Sequence, residues 1–268
     1  MPNWCYNSMT VRGPKQDLDA FIKAVTLPEN DGATTSNGED AGGFDLALLY
    51  PTPKELAETT AGFYVAEPHP NWAVMLANGE MTQEWYDELV RNNAEGYAKD
   101  QENIKKYGYK NWYDWNCENW GTKWSPRVEV LELSEYPDGS AYIQANYETA
   151  WSPASGLIKK ISEQFPNLIF EVSFDEESMA YVGCEIFFQG NVYGADFDPH
   201  KVADYPANLR AEASKVLSSL SDAYDNDRDT YYELHQDLLD LQNELKDEAE
   251  RVASDEFLRD FPGAYAEI

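Results

Sequence analysis

Asp196, Asp198 and His200, in the segment ADFDPH, form the most metal-like constellation in the chain. On a strand, alternate residues point to one side, so the three side chains could converge on a cation. Pro199 works against this, because it removes a ladder hydrogen bond where regular pairing would be needed. Only three histidines occur, His69, His200 and His235, and no cysteine pair accompanies them. A zinc centre is therefore not expected, and the segment reads as the turn at a strand end. Asp225, Asp227 and Asp229 mimic the opening of a calcium loop. The position that needs glycine is Thr230, however, and the one that needs glutamate is Gln236. That segment reads as an acidic turn between helices, and no metal or cofactor is assigned.

Nucleophilic and phosphate chemistry have no better footing. The chain contains neither a G-x-x-x-x-G-K-[ST] loop nor a G-x-S-x-G elbow. Nothing around Cys5, Cys117 or Cys184 suggests a Cys–His pair, and Cys184 sits in an apolar strand where a thiol is buried and inert. Carboxylates are so abundant that no single pair stands out for acid–base work. No catalytic residue is assigned, and a non-enzymatic role is favoured.

Charge is the informative quantity. The 268 residues carry 49 acidic and 20 basic side chains, a net charge of −29. Such a surface repels phosphates and anionic lipid headgroups, so direct nucleic-acid or membrane binding is not expected. It favours solubility and attraction to a basic partner. No run of about 18 apolar residues is present to span a membrane. The start, MPNWCYNSMTVRG, lacks the basic and apolar regions of a signal peptide. Three widely spaced cysteines fit reduced thiols in a cytoplasmic setting. Apolar residues at 43 % and aromatics at 14 % support a sizeable core.

The elements that would carry these surfaces follow from periodicity. WCYNSMTVRG alternates as a strand, Gly13-Pro14 stops it, and Leu18, Phe21, Ile22 and Val25 then share one helical face. Residues 28–43 lack periodicity and read as a loop; FDLALLYP (44–51) reads as a second strand. Residues 52–126 form an insertion with helix around 82–107. RVEVLEL (127–133) and SAYIQANYET (140–149) flank Pro137-Asp138-Gly139, a hairpin signal. Ser152-Pro153 opens a helix carrying Leu157, Ile158, Ile161 and Phe165. LIFEVSF (168–174), YVGCEIFFQG (181–190) and NVYGADF are further strands. The order predicts an α+β sandwich with helices on one face of a mainly antiparallel sheet.

Five of these blocks together carry a resemblance. MPNWCYNSMTVRG, FDLALLYPTP, NWGTKW, TAWSPASGL and ISEQFPNLIFE, in this order over roughly residues 1–190, resemble the YubB ferredoxin-like domain family of phages, plasmids and prophages. The resemblance implies a ferredoxin-like fold and a mobile-element origin, and brings no catalytic residues with it. It divides the chain into a ferredoxin-like domain over 1–200, with the insertion at about 52–126, and an acidic C-terminal helical region over 201–268.

That tail predicts a helical hairpin. Pro206, Leu209, Ala213, Val216, Leu217 and Leu220 give one helix an apolar face; Tyr231, Leu234, Leu238, Leu241, Leu245 and Val252 give the next a seam near heptad spacing. The leucines Leu234, Leu238, Leu241 and Leu245 either fold back onto the domain or form a homodimer seam. Beside them Glu233, Asp237, Asp240, Glu244 and Asp247 recur at steps of four and three, which places them on one helical face. At 1.5 Å per residue their charges fall roughly 5 Å apart. Duplex DNA carries one about every 1.7 Å, so one helix is too sparse to imitate it without a second row.

Eight tryptophans complete the picture, four of them between Trp112 and Trp124. Trp4, Trp120, Trp124 and Trp151 are expected in the core; Trp112, Tyr113 and Trp115, in a polar stretch, are expected to form an exposed contact patch. The leading functional expectation is a phage or mobile-element accessory protein that binds and inhibits a host protein with a basic surface. A nucleic-acid-binding defence factor is the example in view, with nucleic-acid mimicry as one route. The alternatives are an enzyme or binding domain acting on a nucleotide or other small ligand, and a structural dimerisation protein.

Overall fold

The computed structural model describes residues 3–27, 43–128, 132–135, 140–176, 181–197, 201, 207–226 and 228–264. Two compact units emerge, one formed by Met1–Tyr50 with Trp120–Ile268, the other by Pro51–Asn119. The tail read as a separate region from the sequence therefore belongs to the first unit.

The first unit begins with strand β1 (Trp4–Pro14) and helix α1 (Lys15–Val25). After a two-residue strand, β2 (Phe44–Asp45), the chain makes a 3-10 turn over Leu46–Leu49. The second unit holds α2 (Lys54–Ala57), α3 (Pro70–Ala77), α4 (Gln83–Tyr107) and most of α5 (Trp112–Trp120). The first unit then resumes with β3 (Arg127–Val128), β4 (Glu132–Glu135), β5 (Ser140–Ala150), α6 (Ser155–Gln164), β6 (Ile169–Glu176), β7 (Tyr181–Phe188) and β8 (Asn191–Phe197). Helices α7 (Ala207–Asn226) and α8 (Arg228–Asp260) close it.

Six strands form one antiparallel sheet in the order β4-β5-β1-β6-β7-β8. Its first four positions hold the split βαβ pairing of a ferredoxin-like fold, and β7 and β8 extend it beyond β6. The central strand β1 pairs with β5 from Trp4–Ala150 to Pro14–Ser140, and with β6 from Cys5–Glu176 to Arg12–Ile169. Because side chains alternate, this register decides which residues share a face. Cys5, Asn7, Met9 and Val11 lie on one face with Tyr147, Ala145 and Ile143 of β5 and with Glu176, Phe174, Val172 and Phe170 of β6.

That face carries α1 and α6, as the sequence predicts. Phe21 of α1 meets Phe170 and Phe165 edge-on, with both ring centroids 5.5 Å away. Leu157, Ile158 and Ile161 of α6 are buried, at the three- and four-residue spacing of one helical stripe. The opposite face of the β6–β8 half is covered by the C-terminal hairpin. Val182, Cys184 and Ile186 of β7 form a core with Leu209, Ala213 and Val216 of α7 and Leu241, Leu245, Ala249, Ala253 and Phe257 of α8. Small residues at 249 and 253 let α8 lie close to the strands, and Phe257 anchors its far end between Phe188, Tyr193 and Phe261.

Two sequence expectations change. FDLALLYP is not a full strand: only Phe44–Asp45 pairs, with Val128 and Arg127, before the 3-10 turn. The Asp45 carboxylate accepts from the Ala47 amide at 2.9 Å and from the Ser125 hydroxyl, so it bends the chain after two residues. A short apolar run has no periodicity from which to foresee that. RVEVLEL is likewise divided between β3 and β4, which belong to different sheets. The loop expected over 28–43, apart from Gly43, and the Pro137-Asp138-Gly139 turn lie outside the described residues. β4 and β5 on either side of that turn do pair, from Glu132–Gln144 to Glu135–Ala141.

In the second unit α4 matches the helix expected around 82–107. Thr82 Oγ1 caps its start by accepting from the Trp85 amide, and Gly108 ends it at φ 83°. Its buried side chains are polar: Asn93 exchanges two hydrogen bonds with the Val65 backbone, and Asn103 donates to the Lys110 carbonyl. No helix among the described residues is long and apolar enough to cross a membrane.

Replacing Phe257 by alanine should lower stability by about 3–5 kcal/mol, because it empties the aromatic anchor under α8. Urea denaturation followed by circular dichroism measures this. A loss below about 1 kcal/mol would mean that α8 is held by something else.

Candidate functional site

The buried stripe of α8, at steps of four from Leu241 to Phe257, turns the opposite side of the helix to solvent. Asp240, Glu244 and Asp247 stand exposed there. Among the described residues no lysine or arginine pairs with Glu244 or Asp247. One turn later the charges are matched: Arg251 reaches Glu248 and Asp255, each at 2.7 Å, and holds the Glu248 carboxyl below its ordinary range. Lys246 pairs with Asp175 of β6 at 3.3 Å, and Glu250 accepts from Ser173. Among the described residues, Glu244 and Asp247 are thus the uncompensated carboxylates of the acidic face. Glu233 and Asp237 fall on α8, but their side chains lie outside the described residues.

The dimer-seam expectation is corrected for Leu241 and Leu245. Both are buried against β6–β8 and cannot also face a second copy. The heptad spacing was real; it serves an intramolecular sheet face that a single sequence does not reveal. Leu234 and Leu238 have side chains outside the described residues.

The aromatic residues divide differently from the expectation. Residues 112–120 are helical, so the alternation of a strand does not set where Trp112, Tyr113 and Trp115 lie. Trp115 is buried at 6 % exposure and is no contact residue; Trp112 and Tyr113 are half-buried and stack edge-to-face at 5.9 Å. Trp120 is buried as expected, its indole N–H donating to the Tyr50 carbonyl at 2.8 Å. Trp124 and Trp151 are the exceptions, exposed at 42 % and 41 %. Gly121 turns the chain at φ 86° directly after α5, so no strand alternation carries Trp124 inward. Trp4 is half-buried, its ring 5.8 Å from that of Trp124.

Sequence reasoning missed a polar cluster on the α1/α6 face of the sheet. Asn7 donates through Nδ2 to Thr149 Oγ1 at 2.9 Å and to the carbonyls of Cys5 and Tyr147. Across the sheet, Glu185 of β7 accepts from the Ser155 hydroxyl at the start of α6. Burial pushes the Glu185 carboxyl above its ordinary range, and Asp196 raises it further. Burial likewise raises the Tyr181 phenol, which is hydrogen-bonded to Asp196. The only hint in the sequence was a glutamate inside an otherwise apolar strand, YVGCEIFF. The thiols of Cys5 and Cys184 are each pushed up to about 12 by burial, so neither is a nucleophile near neutrality. Asp196 is exposed on β8, while Asp198 and His200 lie outside the described residues; so does Asp227 of the second acidic run.

Comparisons with known proteins give two matches. Residues 119–232 match the family model described as the ferredoxin-like domain in Api92-like protein. The match runs from the end of α5 into α8, and so includes part of the tail that the sequence resemblance left out. Among solved structures the chain is similar to protein api92 from Yersinia pseudotuberculosis. The identity is 11 % and the TM-score 0.34, over 73 % of this chain and 99 % of that one. No curated protein matches.

Glu185 provides a pH test. Its raised carboxyl means that the folded state binds a proton more tightly than the unfolded one. Stability should therefore fall as pH rises from below the ordinary glutamate value, about 4.3, through the folded value. Glu185→Gln keeps an acceptor for Ser155 and removes the titration, so the decline in Tm between about pH 4 and pH 7 should flatten. Thermal melts across that range decide it; an unchanged slope would place the titration elsewhere. The sheet topology, the register and these side-chain contacts together identify the body of the chain as a ferredoxin-like α+β domain, similar over residues 119–232 to that of Api92-like proteins.

Proposed function

We propose that the chain is a non-enzymatic accessory protein of phage or plasmid type that binds a host protein through a basic surface on that host protein and blocks it. The observation that carries this reading is the exposed stretch Asp240, Glu244 and Asp247 on a molecule of net charge −29. A partner with a basic groove would be drawn to it over a distance set by the ionic strength. The mobile-element origin rests on the YubB resemblance of residues 1–190, which is finer than the ferredoxin-like match.

Charge spacing limits the form that inhibition takes. Asp240 to Asp247 spans about 10 Å of helix at 1.5 Å per residue, again roughly 5 Å per charge. This single row matches a basic groove in sign but not a nucleic-acid strand in density. Mimicry of a duplex would need a second acidic row alongside. Attraction to a basic partner needs only the row present.

Affinity capture from a bacterial lysate at low and high salt tests the reading. Basic proteins should be retained at low salt and released as salt rises. The triple variant Asp240→Asn, Glu244→Gln, Asp247→Asn should weaken capture about tenfold or more without lowering Tm, since the three side chains are exposed. Retention that ignores both salt and the triple change would overturn the proposal.

A further inference from the structure

Trp124 and Trp151 flank a single ammonium group. Lys123 Nζ lies 3.6 Å from the Trp124 ring centroid and 4.5 Å from that of Trp151. Trp4 stands beside Trp124, with the ring centroids 5.8 Å apart. Two indoles around one cation form a cation–π box, because the negative faces of both rings point at the charge. Large aromatic side chains are normally drawn into the core, yet these two are exposed at 42 % and 41 %.

The walls of the box are fixed by backbone. Thr122 Oγ1 accepts from the Ala150 amide at 3.1 Å and donates to the Ala150 carbonyl at 3.2 Å. Ser152 Oγ donates to the Gly121 carbonyl at 2.6 Å, and the Trp151 amide donates to the Asn3 carbonyl at 2.9 Å. Gly121 is held so near Pro153 that a Cβ there would meet its carbonyl oxygen at 2.9 Å. These bonds tie the turn bearing Trp124 to the strand end bearing Trp151. They also hold Trp151 at φ 69°, a left-handed conformation that is a genuine outlier for so bulky a residue. Of the box's parts only the Lys123 side chain is long and flexible.

We propose that the Trp124–Trp151 box is a binding site for a lysine side chain of a partner polypeptide, and that Lys123 is an internal occupant which the incoming ammonium displaces. Lys123 itself demonstrates that the gap accepts an alkylammonium at cation–π distance. The acidic molecule around it, at net −29, favours a cationic entrant over a neutral one. This reading draws on the proposed basic partner only for the source of the cation; the chemistry of the box stands without it. An internal competitor lowers apparent affinity by the fraction of time that it fills the site, so removing it should tighten binding.

The test follows the indole N–H resonances of the full chain by NMR at about 150 mM salt, where loose attraction to the acidic surface is screened. The probes are a short lysine peptide, its alanine counterpart, tetramethylammonium and neutral tert-butanol. The lysine peptide should shift the Trp124 and Trp151 signals, and its alanine counterpart and tert-butanol should not. Lys123→Ala should bind the lysine peptide about tenfold more tightly than the unaltered chain. Trp124→Leu should lose the response with its fold intact by circular dichroism. Trp151→Asn, a residue tolerated in the left-handed region, checks the second wall.

No shift in Lys123→Ala, or an equal response to tert-butanol, would overturn the site. Equal affinity with and without Lys123 would overturn displacement. Response to tetramethylammonium but not to the lysine peptide would overturn the assignment to a polypeptide. Lysate capture that fails while the lysine peptide still binds would remove the proposed host partner and leave the box standing.

Discussion

The pairing of β1 with β5 on one side and β6 on the other is the constraint from which the rest of the first unit follows. Once Met9 stands opposite Ala145 and Val172, alternation assigns a face to every residue of the neighbouring strands. One face is then apolar enough to take α1 and α6. The other becomes apolar only where β6, β7 and β8 extend the sheet, through Ile169, Val182, Cys184, Ile186 and Phe197. That half needs a second cover, which is the structural reason for the C-terminal hairpin. A slip of one residue in β1 would turn Cys5, Met9 and Val11 away from the face that carries α1 and α6.

The same constraint shapes the acidic surface. Because Leu241, Leu245, Ala249, Ala253 and Phe257 must face the sheet, Asp240, Glu244 and Asp247 face water. Hydrophobic burial thus orients the charge; electrostatics alone would only scatter it. Farther along α8, Arg251 compensates Glu248 and Asp255, whereas Glu244 and Asp247 have no basic partner among the described residues.

Much of this was legible from residue order alone. The strands at 4–14, 140–150, 169–176 and 181–188, the helices α1, α4 and α6, and the C-terminal hairpin each have a periodic pattern or a cap that announces them. FDLALLYP misled because the bend is imposed by Asp45 meeting Ser125, 80 positions away. The tryptophans misled for a related reason. Trp115, Trp120 and Trp124 sit close in sequence, yet the end of α5 and the Gly121 turn send them to different environments. The cluster of Asn7, Thr149, Ser155, Glu185 and Asp196 draws on four strands and a helix, and no local pattern connects them.

Residue order is enough to fix the α+β class, the strong negative charge and the amphipathic character of each long element. All three follow from composition and short-range periodicity, which survive without knowledge of neighbours. It takes the folded chain to show that the leucine stripe of α8 serves its own sheet, that Glu185 is buried beside Ser155, and that Trp124 and Trp151 close around Lys123 at the surface. Each of those depends on which distant backbone segment arrives alongside. That is set by strand register and turn geometry, and the side chains involved carry no local trace of it.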